Sequence, residues 1–225
     1  MIKRTLLSSA LLLTTIALNA QIITFAKVIK TNDNQDKNIY SSTEEFTEED
    51  LLAQIEIDGY TSDDAFVYSQ IYKKAKEVGA NIIQWQPPVN IDGRKQEINL
   101  HHYKLNLYYR EQSIPKEGVA YIFGSPTKDV KLTLNNKKLL IPARSYIKYN
   151  LAPGELLELN VGGFLGSRIK VTGSTANDEF YFQISGGKLG AEDEGLKIKS
   201  GDIVGVDPSF GEFLKVIYKP FSIAN

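Results

Sequence analysis

The second half of the chain is a series of short runs rich in β-branched and aromatic residues, separated at nearly regular intervals by turn signals. The signals combine Gly, Pro and Asn, for example Asn135-Asn136 and Ala152-Pro153-Gly154. Strands that recur about every ten residues are typical of a β-sandwich or a β-barrel. The predicted strands are residues 119–123, 130–134, 138–141, 146–150, 156–161, 168–171 and 180–184, with one or two more within residues 196–218.

The first half has strand patterns on both sides of one amphipathic helix. The helix is predicted over residues 63–78, where four apolar residues recur at helical spacing and form one stripe. Asp63 can cap its first turn, and Gly79 supplies the left-handed residue that ends it. The predicted strands of this half are residues 22–29, 51–57, 81–86 and 100–110.

A boundary between two domains is predicted at residues 112–118, which contain Pro115, Gly118 and few apolar side chains. The chain is therefore expected to belong to the α+β class. Residues 21–112 would form an α+β module of βαββ order, and residues 116–225 would form an all-β sandwich or barrel domain.

The first twenty residues have the three parts of a secretory signal peptide. Lys3 and Arg4 form a basic start, an apolar run follows as far as Leu18, and Ala20 is the small residue before the predicted cleavage point. The apolar run is shorter than the roughly twenty residues that a membrane span needs. We therefore expect a mature chain that begins at Gln21, contains no transmembrane span and is periplasmic or secreted.

The composition excludes several kinds of site. The chain has no cysteine, which excludes disulfides, zinc–thiolate sites, thiol nucleophiles and a lipid anchor at the cleavage point. Loss of Lys3 and Arg4 with the leader changes the formal net charge from −1 to −3. Because basic residues are not in excess, nucleic acid is not an expected partner. No cofactor is expected either.

The end of the predicted helix carries a recognisable motif. The segment AKEVGANII, residues 75–83, resembles the helix end of a small βαββ module, kAxxxGANxI, that recurs in bacterial envelope lipoproteins and stress-sensor proteins. The resemblance implies a tight turn from helix to strand. Ala75 permits close packing against the sheet, Gly79 reverses the chain, and Asn81 tolerates or caps the backbone beside it.

The second half resembles a short, uncharacterised all-β domain of envelope proteins. The shared pattern comprises the VAYIF strand at 119–123, a hairpin at 130–139, an aromatic strand at 146–149, the LAPGE turn at 151–155 and the FYFQI strand at 180–184. The cysteine-free, Lys/Asn/Ile-rich composition resembles that of an exported protein of a Bacteroidetes-type bacterium. Neither resemblance brings catalytic residues with it.

His101 and His102 are the two histidines of the chain. As neighbours on a strand they face opposite sides of the sheet, so they cannot bind one metal ion together without a β-bulge. A ligand role would need a carboxylate such as Glu97 or Asp92 to fold back toward one of them. We therefore predict no metal site and expect both histidines at the surface or at the edge of the core.

Acidic residues cluster in two loops, 44–50 and 192–194, where solvation is the expected role. The second loop, with Asp202 beside it, could gather a calcium ion, but it lacks the alternating ligand order of a dedicated calcium site. The glycine-rich stretch 162–166 precedes a strand rather than a helix. It is therefore predicted to be a hairpin turn and not a phosphate-binding loop.

Several aromatic residues lie on the predicted strands near polar neighbours. If exposed on a sheet face, they would form a contact surface for a glycan or a peptide, and packing in the core is the alternative. These residues are Trp85, Tyr103, Tyr108, Tyr109, Tyr146 and Tyr149.

The sequence therefore predicts an exported, non-enzymatic envelope protein with a binding or scaffolding role, whose partner is an envelope protein or a glycan. Two alternatives stay open: a secreted hydrolase that uses carboxylates alone, and a carrier that holds a small ligand inside the β-domain. No catalytic, cofactor-binding or metal-ligating residues are assigned.

Overall fold

The structure is a computed structural model that describes residues 21–87, 92, 96–111, 118–162, 166–175, 178–185 and 203–223. Within these residues it contains two helices and three sheets, so the predicted mixture of α and β structure is confirmed. The helices are α1 (Asp64–Glu77) and α2 (Pro208–Ile217). The strands are β1 (Ile22–Val28), β2 (Tyr40–Ser41), β3 (Leu51–Asp58), β4 (Ile82–Trp85), β5 (His102–Tyr108), β6 (Val119–Phe123), β7 (Val130–Leu134), β8 (Lys137–Ile141), β9 (Ser145–Asn150), β10 (Leu156–Val161), β11 (Ser167–Thr172), β12 (Glu179–Ile184), β13 (Ile203–Gly205) and β14 (Lys219–Pro220).

The first sheet has the strand order β1-β3-β5-β4-β2. β3 and β4 are both antiparallel to β5, which lies between them, and α1 connects β3 to β4 along the chain. The helix begins where the sequence predicts, because the Asp63 carboxylate accepts a hydrogen bond from the backbone N–H of Phe66 at 2.9 Å. Its apolar stripe, which includes Val67, Ile71 and Ala75, is buried in the first core cluster.

The turn from α1 to β4 depends on two residues of the GAN motif. Gly79 has a φ of +73°, and a Cβ atom there would lie 1.7 Å from the carbonyl oxygen of Asn32. The buried side chain of Asn81 accepts a hydrogen bond from the backbone N–H of Arg110 at 2.9 Å. It also donates one to the carbonyl oxygen of Arg110 at 2.8 Å. Asn81 therefore ties the start of β4 to the chain just beyond β5.

The middle sheet has the strand order β13-β12-β6-β9-β14 and is covered on both faces. Tyr121 and Phe123 of β6 join the first core cluster, together with both helices and the first sheet. Ala120 and Ile122 point the other way and join a second cluster. Because both faces are covered, all five residues of β6 are buried, which explains its uninterrupted apolar sequence.

The prediction of strands over residues 196–218 was wrong in part, and so was the prediction that the second half is all-β. Residues 196–202 lie outside the described part, β13 follows, and helix α2 occupies Pro208–Ile217. The Asp207 carboxylate caps this helix, and Pro208 stands in the first turn, where no backbone N–H is needed. The apolar residues that suggested a strand follow a helical spacing and are buried: Phe213, Leu214 and Ile217.

The outer sheet has the strand order β11-β10-β7-β8 and packs against the middle sheet. Asn135 and Asn136, both at positive φ, form the two-residue turn between β7 and β8. Gly162, at a φ of +86°, follows β10, which pairs antiparallel with β11, while residues 163–165 of the predicted hairpin turn lie outside the described residues. The interior between the two sheets is filled by apolar side chains that include Ile122, Leu132, Ile147, Leu157 and Leu159.

Two predictions depend on residues that are not described. The predicted signal peptide occupies residues 1–20, and residues 112–117 cover most of the predicted domain boundary. The division into residues 21–112 and 116–225 thus stays a prediction, although the first core cluster contains residues from both sides, such as Leu105 and Phe123. Neither helix in the described part is long and apolar enough to cross a bilayer.

Candidate binding site

A groove of about 360 Å³ lies where β4 ends and β5 begins. The two strands are antiparallel with Trp85 opposite Leu105, so the chain after Trp85 runs beside the start of β5. Ile98 and Leu100 pack on the first core cluster and anchor the segment that leads into β5. The described lining of the groove consists of Trp85, Gln86, Pro87, Gln96, Glu97, Asn99, His102, Tyr103 and Lys104.

Two aromatic side chains form the apolar part of the groove. Trp85 is partly buried and packs on the first core cluster. Tyr103 is 5% exposed, and its burial raises the pKa of the phenol above the ordinary value. The Tyr103 hydroxyl is protonated at neutral pH, as an ordinary phenol is, and can donate a hydrogen bond.

Amide side chains at the groove are held by hydrogen bonds from the protein. The Oε1 atom of Gln86 accepts from the Nε2 of Gln54 at 3.1 Å and from the Nδ2 of Asn106 at 3.3 Å. Both bonds use the oxygen, so the Nε2 donors of Gln86 are left to other partners. The side-chain Oδ1 of Asn99 accepts from the backbone N–H of His101 at 3.0 Å. These contacts orient polar groups before a ligand arrives, which lowers the entropic cost of binding.

Charged side chains form a ladder on the first sheet beside the groove. In the register of β3 and β5, Glu56 lies opposite Lys104 and Asp58 lies opposite His102. The Lys104 Nζ is 3.3 Å from the Glu56 Oε1, and the His102 Nδ1 is 2.6 Å from the Asp58 Oδ1. The Nε2 of the same imidazole is 3.5 Å from the Glu56 Oε1. His102 thus belongs both to the groove and to the ladder.

The structure places both histidines at the surface. His101 precedes β5 and stacks on Tyr60, with ring centroids 5.0 Å apart. The carboxylates beside His102 come from β3 and not from Glu97 or Asp92, which the sequence analysis considered. Sequence spacing could not indicate this neighbourhood, because the two strands are separated along the chain by α1 and β4.

The predicted acidic loops have different outcomes. Residues 44–50 form an exposed segment in which the Glu44 carboxylate accepts a hydrogen bond from Arg110 at 2.6 Å. This pairing lowers the pKa of Glu44, through the hydrogen bond first and the charge of Arg110 second. The acidic residues 192–194 and Asp202, considered above as calcium ligands, lie outside the described residues.

Of the aromatic residues that the sequence analysis considered, Trp85 and Tyr103 line the groove. Tyr108 is 4% exposed and stacks on Phe46, with ring centroids 4.3 Å apart. Tyr108 therefore packs in the core and does not form an exposed contact surface. The three other tyrosines are partly buried and also pack on the core clusters: Tyr109, Tyr146 and Tyr149.

The buried carboxylate of Asp64 is a polar centre that the sequence analysis did not single out. It accepts hydrogen bonds from the Arg144 Nη1 at 2.9 Å and from the Tyr218 hydroxyl at 2.8 Å. Burial raises the pKa of Asp64, and the nearby guanidinium and phenol oppose that shift. In the sequence, Asp64 is an acidic residue at the start of a predicted helix, where negative charge is favourable. Its partners Arg144 and Tyr218 are distant along the chain and are brought to it by the tertiary fold.

A second buried carboxylate, Glu212 of α2, closes one edge of the first sheet. Its Oε2 accepts from the backbone N–H of Ser41 at 2.9 Å and from the Ser41 hydroxyl at 2.6 Å. Its Oε1 accepts from the Tyr181 hydroxyl at 2.7 Å. The Ser209 hydroxyl accepts from the backbone N–H of Ile39 at 3.0 Å. Helix α2 therefore accepts from the outward N–H groups of Ser41 in β2 and of Ile39 just before it, which protects this sheet edge from pairing with another chain.

Comparison with protein-family models found no match to this chain, and comparison with curated proteins and with solved structures found no significant match. What the groove can bind therefore has to follow from its own residues and geometry.

Proposed function

We propose that this protein is an exported, non-enzymatic envelope protein and that the groove between β4 and β5 binds a glycan. The observation that carries the proposal is Trp85, a partly buried ring that packs on the core and is bordered by amide and cationic side chains. A sugar ring has an apolar C–H face that can lie on an indole, while its hydroxyl groups point outward at the edges. A flat aromatic ring with polar neighbours complements both features.

The polar lining suits a ligand with many hydroxyl groups. Gln86 and Asn99 offer amide groups, and Lys104 offers an ammonium group at the side of the groove. The volume of about 360 Å³ lies near the lower end of the roughly 300–1,000 Å³ typical of ligand pockets. The groove thus has room for one or two sugar units, and the rest of a longer chain would extend past its rim.

The arrangement of carboxylates supports binding rather than hydrolysis. A glycosidase needs acidic side chains on both sides of the scissile bond, one of them with a raised pKa. The buried carboxylates Asp64 and Glu212 are occupied by protein hydrogen bonds, and neither belongs to the described lining. Glu97, the carboxylate in that lining, is exposed and pairs with Lys219. In the described part of the chain, apolar side chains of the second core cluster pack between the middle and outer sheets, which does not favour a small-ligand carrier there.

Export is supported by the signal pattern of the first twenty residues and by the start of the fold. β1 begins at Ile22, so cleavage after Ala20 would leave every described element intact. N-terminal sequencing of the protein recovered from cells tests this part of the proposal. A chain that starts at Gln21 is the expected result, and a retained Met1 would contradict export by this route.

Trp85 is the one tryptophan of the chain, so tryptophan fluorescence reports on the groove alone. We expect chito-, cello- or manno-oligosaccharides, or soluble peptidoglycan fragments, to shift the Trp85 emission in a saturable way. Calorimetry with the same oligosaccharide then measures the affinity of the variants. Trp85→Ala is expected to weaken binding at least about tenfold, as loss of a central aromatic contact does.

Phe66→Ala is the matched control, because Phe66 is a 47% exposed aromatic residue on α1 outside the described lining. This variant should bind the oligosaccharide as the unmodified protein does. The glycan proposal fails if no member of the panel changes the Trp85 emission, or if Trp85→Ala and Phe66→Ala bind equally well. Release of cleaved products would instead favour the hydrolase, and capture of an envelope protein by the Trp85→Ala variant would favour scaffolding.

A further inference from the structure

Three potential metal ligands meet on the charged ladder of the first sheet. Glu56 and Asp58 lie two residues apart on β3 and therefore share a face, and His102 stands opposite Asp58 on β5. One ligand atom from each of these three side chains lies within 4.8 Å of the other two. The cluster contains an imidazole, so it differs from a simple collection of surface carboxylates.

We propose that His102 and Glu56 bind a divalent transition-metal ion of the Zn²⁺ class, with Asp58 as a positioning residue. The His102 Nδ1 lies 2.6 Å from the Asp58 Oδ1, a distance for a hydrogen bond donated by Nδ1–H. A proton on Nδ1 leaves the lone pair of Nε2 free for a metal. A carboxylate that orients a metal-binding histidine in this way is a recurrent feature of metal sites.

The distance between the two proposed ligand atoms fits a metal ion. The His102 Nε2 and the Glu56 Oε1 are 3.5 Å apart. Two ligand atoms at about 2.0–2.1 Å from a tetrahedral zinc ion are separated by about 3.4 Å, so little movement is needed. The distance from Nδ1 to Asp58 is too short for both of those atoms to bind one ion. The geometry therefore assigns the ion to the Nε2 side of the ring.

The surroundings predict a weak, accessible site. The His102 side chain is 54% exposed, so an ion can reach Nε2 from solvent and complete its coordination with water. Lys104 lies 3.3 Å from the same Glu56 oxygen and must release it when a cation binds. The affinity should therefore be lower than that of structural zinc sites with four protein ligands. Because imidazole is one ligand, Zn²⁺ should be preferred to Ca²⁺ and Mg²⁺, which favour oxygen ligands alone.

The proposal does not rest on glycan binding, since the ion is held by β3 and β5 without a ligand in the groove. The test uses untagged protein purified from cells that express the full chain, because a histidine tag would itself bind zinc. Titration calorimetry with ZnCl₂ is expected to give one ion per chain, and CaCl₂ should not compete. His102→Gln is expected to lose this binding, and circular dichroism verifies that the variant is folded.

His101→Gln is the matched control, because it removes the other histidine, which lies outside the cluster. It should retain the zinc affinity. Asp58→Ala should weaken zinc binding by about tenfold to a hundredfold, the usual effect of removing an orienting carboxylate. Lys104→Met should raise the affinity, because the competing ammonium group is gone. Nitrogen-15 shifts of the imidazoles provide a separate readout of the positioning role: His102 should carry its proton on Nδ1, and Asp58→Ala should weaken that preference.

Three results would each overturn the proposal. The first is the absence of saturable zinc binding to the unmodified protein. The second is an equal loss of affinity in His101→Gln and His102→Gln, which would indicate non-specific coordination. The third is binding that Ca²⁺ displaces and that His102→Gln does not change, which would indicate a carboxylate-only site. Loss of binding in His102→Gln with retention in His101→Gln supports the proposed site.

Discussion

Arg144 donates a hydrogen bond from Nη1 to the Oδ1 of Asp64 at 2.9 Å, although 80 positions separate the two residues along the chain. Asp64 stands in the first turn of α1, and Arg144 lies in the turn before β9. The rings of Tyr60 and Tyr218 flank the guanidinium, with their centroids 5.5 Å and 5.7 Å from its Cζ. The ion pair therefore joins the helix of the first sheet to an end of the middle sheet in a largely buried setting.

Loss of this buried ion pair should destabilise the protein. Arg144→Met leaves the Asp64 carboxylate buried without its charged partner, which typically costs about 3–5 kcal/mol. Urea unfolding at neutral pH should therefore show a lower free energy of unfolding. The double variant Asp64→Asn/Arg144→Met should be more stable than Arg144→Met, because the unpaired charge is gone. If Arg144→Met unfolded at the same urea concentration as the unmodified protein, the pair would not have this structural role.

Gly79→Ala should destabilise the fold more than Gly154→Ala. Both glycines have positive φ values, +73° and +78°, so an alanine at either position costs about 1–2 kcal/mol in backbone strain. At Gly154 nothing lies within 4 Å of the added Cβ, whereas at Gly79 it would meet the carbonyl oxygen of Asn32 at 1.7 Å. The difference between the two unfolding free energies isolates the effect of this contact. Equal losses would contradict the close approach of Asn32.

Glu212→Gln should release the edge strand β2 from α2. The substitution replaces one carboxylate oxygen by an NH₂ group that faces hydrogen-bond donors, and we expect a loss of about 2–3 kcal/mol. Hydrogen exchange gives a local measurement, because the Ser41 N–H that donates to Glu212 should exchange faster. The Tyr40 N–H donates to the carbonyl oxygen of Asn81 on the other side of the strand and serves as the internal control. Equal acceleration at both amides would indicate general loosening.

Asp178 should make stability depend on acid pH. Hydrogen bonds from the side chains and backbone N–H groups of Ser174 and Thr175 hold the pKa of Asp178 well below its usual range. A carboxyl with a lowered pKa in the folded state stabilises the fold above its unfolded pKa of about 3.9, and this contribution disappears as the pH falls further. Asp178→Asn should therefore unfold at lower urea than the unmodified protein at pH 7, and the difference should narrow below about pH 4. A difference that is independent of pH would contradict the assignment.

The elements that the sequence predicted well are those with a local cause. Asp63 and Gly79 bound α1 because a cap and a left-handed glycine act within one helical turn. Asn135 and Asn136 define their hairpin because both tolerate positive φ. In these cases the residue type that predicts the helix end or the turn also stands at the position whose backbone conformation it determines.

Among the elements that the sequence does not predict, β2 depends on partners elsewhere in the chain. β2 has two residues and exists because β4 pairs with one side of it and α2 with the other. Helix α2 has local signals of its own, the Asp207 cap and Pro208 in the first turn, which the strand prediction for residues 196–218 does not take into account. Phe213, Leu214 and Ile217 lie on one helical face and are buried in the first core cluster.

The limits of α1, the Asn135–Asn136 turn and most strand positions could be predicted from residues that are neighbours along the chain. The groove at Trp85, the His102 cluster and the Arg144–Asp64 pair could not. His102 meets Glu56 and Asp58 because β3 and β5 pair in one register, and that register is selected by burial of their apolar faces under α1. The local sequence determines on which face of a strand or helix a side chain lies. The packing of segments that are distant along the chain determines which residues it contacts on that face.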